Sequence, residues 1–387
     1  MAEMKNEKYI RLIKLQKHMQ AITEEILKSL EHNPDIESVK RDLAKKYRLK
    51  KFPTNIEILE ELDDKQKNIY GNLLITKPVR TLSGVAPLAI MTTPIACVHG
   101  KCTFCGGGPG SFFGDVPQSY TGNEPSTMRG IRAGYDPYLI VFNRLEQFTL
   151  LNQVPEKTEV IIQGGTFCSF PKDYQEEVVK YTLKAMNDFS EMFFDNNTFN
   201  FFRFKEFYEL PGDINNKERT KNIHSKLLSI KGEADLEKEQ LRNETAKIRS
   251  TAIVIETKPD WCKQEEINQI LKLGTTRVEL GVQTLKDDVL KVTNRGHTLN
   301  DTKEAIQLLK DSFLKITAHC MPGLPKTNKE EDINMFEELF KNPDYKPDSL
   351  KIYPCLVMPG TPLFTQYQRG EFKPLSIEEA ADIISEA

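Results

Sequence analysis

Residues 84–110 read GVAPLAIMTTPIACVHGKCTFCGGGPG, an apolar, strand-like run that opens into a polar loop carrying Cys97, Cys102 and Cys105. A short apolar run bounded by turn residues predicts a buried strand, and a loop rich in cysteine and glycine at its end predicts a site there. Five further runs share this texture: TEVIIQGG, TAIVIETKP, TRVELGVQ, FLKITAHCMPG and DSLKIYPCLV. Segments of helix length separate them, which is the pattern of βαβ units and a parallel sheet. Six such units around one centre predict an α/β fold, a partial (βα)6-like barrel, with polar or glycine residues at the strand ends where barrel sites lie.

The bulk properties bound the reading. A chain of 387 residues accommodates one barrel and an appended region. The net charge of -3 excludes a uniformly basic surface, so any nucleic-acid contact needs a local patch. No apolar run approaches eighteen residues, and Lys5, Lys8, Arg11 and Lys14 break up the start, so neither a membrane span nor a secretory signal is expected and the chain reads as cytoplasmic. In that compartment seven cysteines, an odd number, are a poor disulfide framework. Cys168, Cys262, Cys320 and Cys355 are scattered and read as small buried hydrophobes.

The C-x4-C-x2-C loop is different. Three thiolates from one short loop can hold three irons of a cubane cluster and leave the fourth open to a small ligand. A structural zinc site competes; it needs a fourth ligand, for which His99 and Cys168 are candidates, and it usually comes as paired half-motifs. No second C-x2-C exists in the chain, so the spacing favours the open cluster. Phe104 and the glycines after Cys105 suit a loop that shields a cofactor and lets backbone approach it. Gly164 and Gly165 end the second run, Glu256 and Lys258 the third, and Glu279 and Gln283 the fourth. A parallel strand buried on both faces should be apolar throughout, so polar residues recurring at successive strand ends outline one site.

Two regions lie outside this rhythm. Residues 1–75 read as a helical region: apolar positions at helical spacing predict a long helix over 6–31, and two more helices follow over 37–62, broken at KKFPTN. Within it, KRDLAKKYRLKK (40–51) sets seven basic residues against one acidic, a pattern that by itself reads as a solvated helix face. Residues 76–387 form the barrel, interrupted at about 190–250 by an insertion expected to be part helix and part mobile loop.

Several long motifs then occur in order. The cysteine loop, GGTF, ETKPD, ELGVQTLKDDVLKVTNRGHT and AHCMPGLP resemble the radical S-adenosylmethionine (SAM) superfamily. QSYTGNEPSTMRGIRAGYDPY and LKIYPCLVMPGTPLF narrow the resemblance to the family of the catalytic subunit of Elongator, tRNA wobble-uridine modifying enzymes, in its single-chain archaeal or bacterial style. The likeness runs from about residue 75 to the end and is weaker before it. The same motifs speak against a methylthiotransferase or a porphyrin-pathway oxidase. A non-catalytic tRNA-binding or assembly subunit with a structural cluster is the other alternative.

The resemblance implies a radical SAM-type barrel in which Cys97, Cys102 and Cys105 bind a [4Fe–4S] cluster that chelates SAM. Gly164, Gly165 and Thr166 match the segment near the methionine amino group, while Glu256, Gln283 and His319 would line the cofactor and substrate cavity. Lys157 matches a position associated with acetyl-CoA as co-substrate. The implied reaction takes hydrogen from the acetyl methyl group, adds the carbon radical to C5 of the wobble uridine and ends, after hydrolysis, in carboxymethyluridine. The implied partner is tRNA at its anticodon stem-loop, through Lys40, Arg41, Lys45, Lys46, Arg48, Lys50 and Lys51, with Elongator-like subunits or a homodimer as further candidates. Family members carry a GNAT-type acetyltransferase domain after the barrel. No acyl-CoA loop precedes SIEEAADIISEA, a helix that reads as unfinished, so the chain is expected to lack that domain, to cleave SAM, and to complete the modification poorly.

Overall fold

A computed structural model describes residues 19–49, 52–77 and 81–387. Its centre is a six-stranded sheet of β1 (Ala86–Met91), β2 (Lys157–Gln163), β3 (Arg249–Thr257), β4 (Arg277–Gln283), β5 (Lys315–Cys320) and β6 (Ser349–Ile352). Neighbours in the sheet are neighbours in sequence and all pairs are parallel. β1 and β6 stay edges, so the expected partial barrel is an open half-barrel.

The strand sequences explain the two faces. Val160, Ile162, Ile253, Ile255, Val278, Leu280, Ile316 and Ala318 are buried in the main apolar core, where helices such as Lys172–Phe193 cover the sheet. The other face is in register across the strands: Glu256 pairs with Glu279, Glu279 with Thr317, and His319 with Lys351. Residues paired this way in a parallel sheet point to the same side, so the half-barrel has a polar interior. That is why the strands end in charged and amide residues.

Helices at 19–30, Ile36–Lys46 and Asn55–Glu61 form the N-terminal region; the part of the expected first helix before residue 19 lies outside the described residues. Asp35 caps the second by accepting from the amides of Glu37 and Ser38, and Thr54 with Glu57 forms a capping box on the third, directly after Pro53. Ile22, Ile26, Leu43, Ile58, Leu59 and Leu62 belong to the same core as the sheet, so this region is packed onto the barrel. Lys205 Nζ strengthens the contact by donating to the carbonyls of Glu60 (3.0 Å) and Leu62 (2.7 Å).

The interval at 190–250, read from the sequence as part helix and part mobile loop, holds a two-strand hairpin (Phe194–Asp195 with Thr198–Phe199) and the helices Phe201–Phe207, Lys217–Lys231 and Leu236–Asn243, packed into one unit. The reason is its aromatic content. Phe193 and Phe204 pack edge-on at 5.6 Å, Phe204 meets Tyr208 at 4.6 Å, and Phe189 meets Phe193 at 4.7 Å. Arg219 closes the cluster by donating to the Tyr208 carbonyl at 2.9 Å and to the buried Glu146 at 2.6 Å.

One buried carboxyl gives this seam a pH dependence. Burial lifts Glu60 from 4.5 to about 7, with Arg219 offsetting only part of the shift. The folded protein therefore keeps a proton that the unfolded chain loses, and the associated stability is full below about pH 4.5 and falls as pH rises through about 7. Glu60→Gln is expected to be near-neutral at pH 4.5 and stabilising by up to about 3 kcal/mol at pH 8, as urea unfolding at the two pH values would show.

Candidate active site

The cysteine loop leaves β1 at Thr92 and is held from several directions. Within it, Cys105 N bonds Cys102 O at 3.1 Å and Gly100 N bonds Cys97 O at 3.0 Å. The turn after the helix Asp287–Val292 clamps it: Thr103 N bonds Thr293 O at 3.0 Å, and Asn294 Nδ2 donates to Lys101 O at 2.8 Å. Leu363 N, at the start of the helix Pro362–Gln368, bonds Thr103 O at 3.0 Å. Three thiols are thus fixed on one loop by distant parts of the chain.

Each sulfur has its own polar neighbours. Cys97 Sγ lies 3.6 Å from Thr166 Oγ1. Cys102 Sγ lies 3.4 Å from His99 Nε2 and accepts from Arg295 Nη1 at 3.7 Å. Cys105 Sγ accepts from Gln118 Nε2 at 3.2 Å and lies 3.9 Å from Ser119 Oγ. Cys97 and Cys102 are buried and Cys105 is partly exposed. Amide and guanidinium donors aimed at sulfur are what thiolate ligands of a cluster require around them. A single zinc ion would need all its ligands around one point. Among the described residues no three His, Cys, Asp or Glu side chains gather in that way. Cys168 is a poor fourth ligand besides, because its side-chain contacts are with Thr257 and Glu266, not with the loop thiols. The donor set fits a multi-iron cluster better than one metal ion.

Beside the thiols, β2 ends in Gln163-Gly164-Gly165-Thr166. Gly164 has φ +136°, and a Cβ there would overlap the Thr92 hydroxyl, which donates to Gln163 O at 3.0 Å. A Cβ on Gly165 would lie 3.8 Å from Cys97 Sγ and 3.0 Å from Gln118 Cβ. The two glycines therefore let the end of β2 pack closely against Thr92, Gln118 and the cysteine loop.

The polar interior adds two carboxylates with opposite behaviour. Glu256 accepts from Tyr120 OH at 2.9 and 3.1 Å and from Gln163 Nε2 at 3.4 Å, and burial raises its pKa. Tyr120 is itself pushed well above its usual range by burial and by Glu256. Neighbouring Glu279 pairs with His319 Nε2 at 3.1 Å and with Lys351 Nζ, and Arg277 Nη2 stands 3.7 Å away. Burial would raise Glu279, but His319 and Lys351 outweigh it and hold the group at about 2. Gln283 sits at φ +68°, a strained setting for a residue with a Cβ, and its buried Oε1 has no partner. A strained, unsatisfied amide at the barrel mouth has an acceptor free for a ligand.

Gly164, Gly165, Thr166, Glu256, Gln283 and His319 thus meet at the same end of the half-barrel as the cysteines. Gln118, Tyr120, Arg295 and Lys351 belong there too, although composition and spacing gave no role to any of them. Gln118 and Tyr120 follow a hairpin (Gly108–Ser111 with Gly114–Val116) that folds back over the loop, and Arg295 lies far along the chain. Lys157 is elsewhere. It opens β2, paired in register with Arg249, and lies in a groove with Ser250, Thr251 and Thr276. Six residues of strand separate it from Gln163, about 20 Å.

The basic stretch is only partly as expected. Arg41, Lys45, Lys46 and Arg48 are exposed, with Lys46 bonded to Glu25 at 3.0 Å. Lys40 is a correction: it is buried, donating to Glu37 at 2.7 Å and Asn55 at 3.0 Å, because it lies on the face the helix turns toward the next one. Lys50 and Lys51 lie outside the described residues.

Comparison with known proteins places this geometry. The radical SAM superfamily model matches residues 92–339, the ELP3 N-terminal domain model residues 15–82 and the radical SAM C-terminal domain model residues 347–387. A tRNA uridine(34) acetyltransferase of Methanocaldococcus infernus is 44% identical over 378 residues, 96% of this chain and 63% of that protein. Elongator complex protein 3 of Saccharomyces cerevisiae is 34% identical over 347 residues, 88% of this chain and 55% of its own. The solved structure of M. infernus Elp3 with an N-terminal deletion (1–46) aligns with a TM-score of 0.56 at 37% identity, covering 78% of this chain and 53% of that one. The chain therefore spans between 55% and 63% of the length of these two curated relatives. Among the described residues, no helix is long and apolar enough to cross a membrane.

Proposed function

Because the chain belongs to the radical SAM superfamily, we propose that it serves radical modification of the wobble uridine of tRNA, with acetyl-CoA as the carbon source. Its relatives' names, tRNA uridine(34) acetyltransferase and Elongator complex protein 3, support this reading over other radical SAM chemistries. The observation that carries it is the loop of Cys97, Cys102 and Cys105 at the mouth of a polar half-barrel, with Cys97 Sγ 3.6 Å from Thr166 Oγ1 beside Gly164 and Gly165. A [4Fe–4S] cluster bound there with SAM supplies reductive cleavage of the sulfonium and a deoxyadenosyl radical.

The chain's own residues hold and orient. The three cysteines are the cluster ligands. The strand end at Gly164 and Gly165, packed against the cysteine loop, would meet the methionine end of SAM, and the unpaired Gln283 Oε1 offers an acceptor to a hydroxyl or amine. Tyr120 and Gln163 keep the Glu256 carboxyl aimed at the mouth, and Glu279 fixes His319 and Lys351 on the substrate side. Apolar walls beneath them exclude water from a reactive radical.

Acetyl-CoA deuterated at its methyl group tests the co-substrate. Incubated with reconstituted protein, SAM, reductant and tRNA, it should transfer deuterium into 5′-deoxyadenosine. Deoxyadenosine formed without deuterium would remove acetyl-CoA from the reading. For tRNA itself, replacing Arg41, Lys45, Lys46 and Arg48 by Glu is expected to weaken binding of an anticodon stem-loop and flatten its salt dependence. Each lost phosphate contact should lower the slope of log K against log[salt] by roughly 0.9. Unchanged affinity and slope would move the RNA surface away from this helix.

A further inference from the structure

The thiol site is charged in an unusual way. Arg295 is 9% exposed, and among the described residues no carboxylate lies within salt-bridge distance of its guanidinium. Its Nη1 donates to Cys102 Sγ at 3.7 Å, its Nη2 donates to the Gly281 carbonyl at 3.0 Å, and its buried Nε has no partner. The nearby Lys258 is buried too, but it has an acid of its own, Asp260 at 3.2 Å. With neutral thiols the site would therefore enclose an uncompensated guanidinium, which costs several kcal/mol in a protein interior. The chain nevertheless makes room for it: a Cβ on Gly281 would overlap Arg295 Nη2, so β4 carries a glycine where the guanidinium crosses.

A buried cation without a carboxylate calls for an anion that arrives with the cofactor. Three thiolates leave an oxidised cubane with net negative charge, and reduction by one electron adds another. We propose that Arg295 is the charge partner of the iron–sulfur cluster, acting through Cys102 to stabilise its reduced state and so to raise its reduction potential. This rests on the cluster assignment made under Proposed function. Arg295 is a positioning residue in this role, since it touches a ligand's sulfur and no reacting atom.

The test compares Arg295→Gln with Arg295→Lys in reconstituted protein without SAM, following the reduced-cluster electron paramagnetic resonance signal in a redox titration. Arg295→Gln is expected to lower the ratio of reduced to oxidised cluster at fixed potential about tenfold, a shift of about 59 mV for one electron. Arg295→Lys, which keeps the charge, should recover most of that loss. A glutamine variant titrating with wild type, or a lysine variant displaced as far as the glutamine one, would overturn the proposal. If Arg295→Gln takes up no iron, cluster loading of Arg295→Lys decides: loading supports a requirement for charge, and no loading shows a packing role and overturns it. Wild-type protein that builds no cluster would instead refute the cluster assignment itself.

Discussion

Replacing Cys97, Cys102 and Cys105 together by alanine is expected to abolish iron and sulfide uptake and with it all reductive cleavage of SAM. The loss should be complete, because these are the three thiols of the loop, and the contacts of Cys168 are with Thr257 and Glu266, away from it. The fold should survive. The loop is held by backbone bonds to Thr293 and Leu363 that involve no sulfur, and Cys105 is partly exposed. Removing three sulfur atoms from it costs on the order of 1–3 kcal/mol in total. Iron and acid-labile sulfide analysis, paired with thermal melting, checks both halves. A folded triple variant that still binds iron and sulfide would place the cluster elsewhere.

Glu279→Ala should produce the largest loss of stability of any single change in the barrel interior. The carboxylate is 1% exposed and faces His319, Lys351 and Arg277; Arg277 also pairs with Glu159 at 2.9 Å, and Glu256 acts on His319 and Lys351 from the neighbouring strand. Deleting it removes the direct partner of His319 and Lys351 and leaves them only the Glu256 carboxyl, which burial pushes toward its neutral form, at a cost of about 3 kcal/mol, below the ceiling for fully buried pairs because Lys351 and Arg277 reach solvent. The pH dependence has a definite sign. The folded pKa is depressed from 4.5 to about 2, so this stability is present above about pH 4.5 and is lost as pH falls toward 2. Urea unfolding at pH 7 and pH 3 should show the wild type losing more on acidification than Glu279→Ala. Equal losses would mean that the ion-pair network contributes nothing.

The fold was legible because its signals are local. All six apolar runs became strands of one sheet in chain order, and the helical pattern broke at Pro53 as chain geometry requires. The cysteine loop and Gly164-Gly165 were legible for the same reason, since each is a short motif with its own chemistry. Arg295 and Tyr120 were not, because their roles depend on contacts across the barrel: Arg295 meets Cys102 193 residues away, and Tyr120 meets Glu256 136 residues away. Lys40 shows the opposite failure. A count of basic residues cannot see which face of a helix its neighbour covers, and Lys40 lies on the covered one. In the interval at 190–250 the helical part was legible, but its packing around Phe193, Phe204 and Tyr208 was not, because those contacts join separate elements.

The most direct measurement is anaerobic reconstitution of the chain, followed by reduction in the presence of SAM and quantitation of 5′-deoxyadenosine against iron, sulfide and zinc content. The predicted result is about four irons and matching sulfide per chain, with at least about one deoxyadenosine formed per cluster. Stoichiometric zinc held by the three cysteines, with no cluster and no deoxyadenosine, would contradict it.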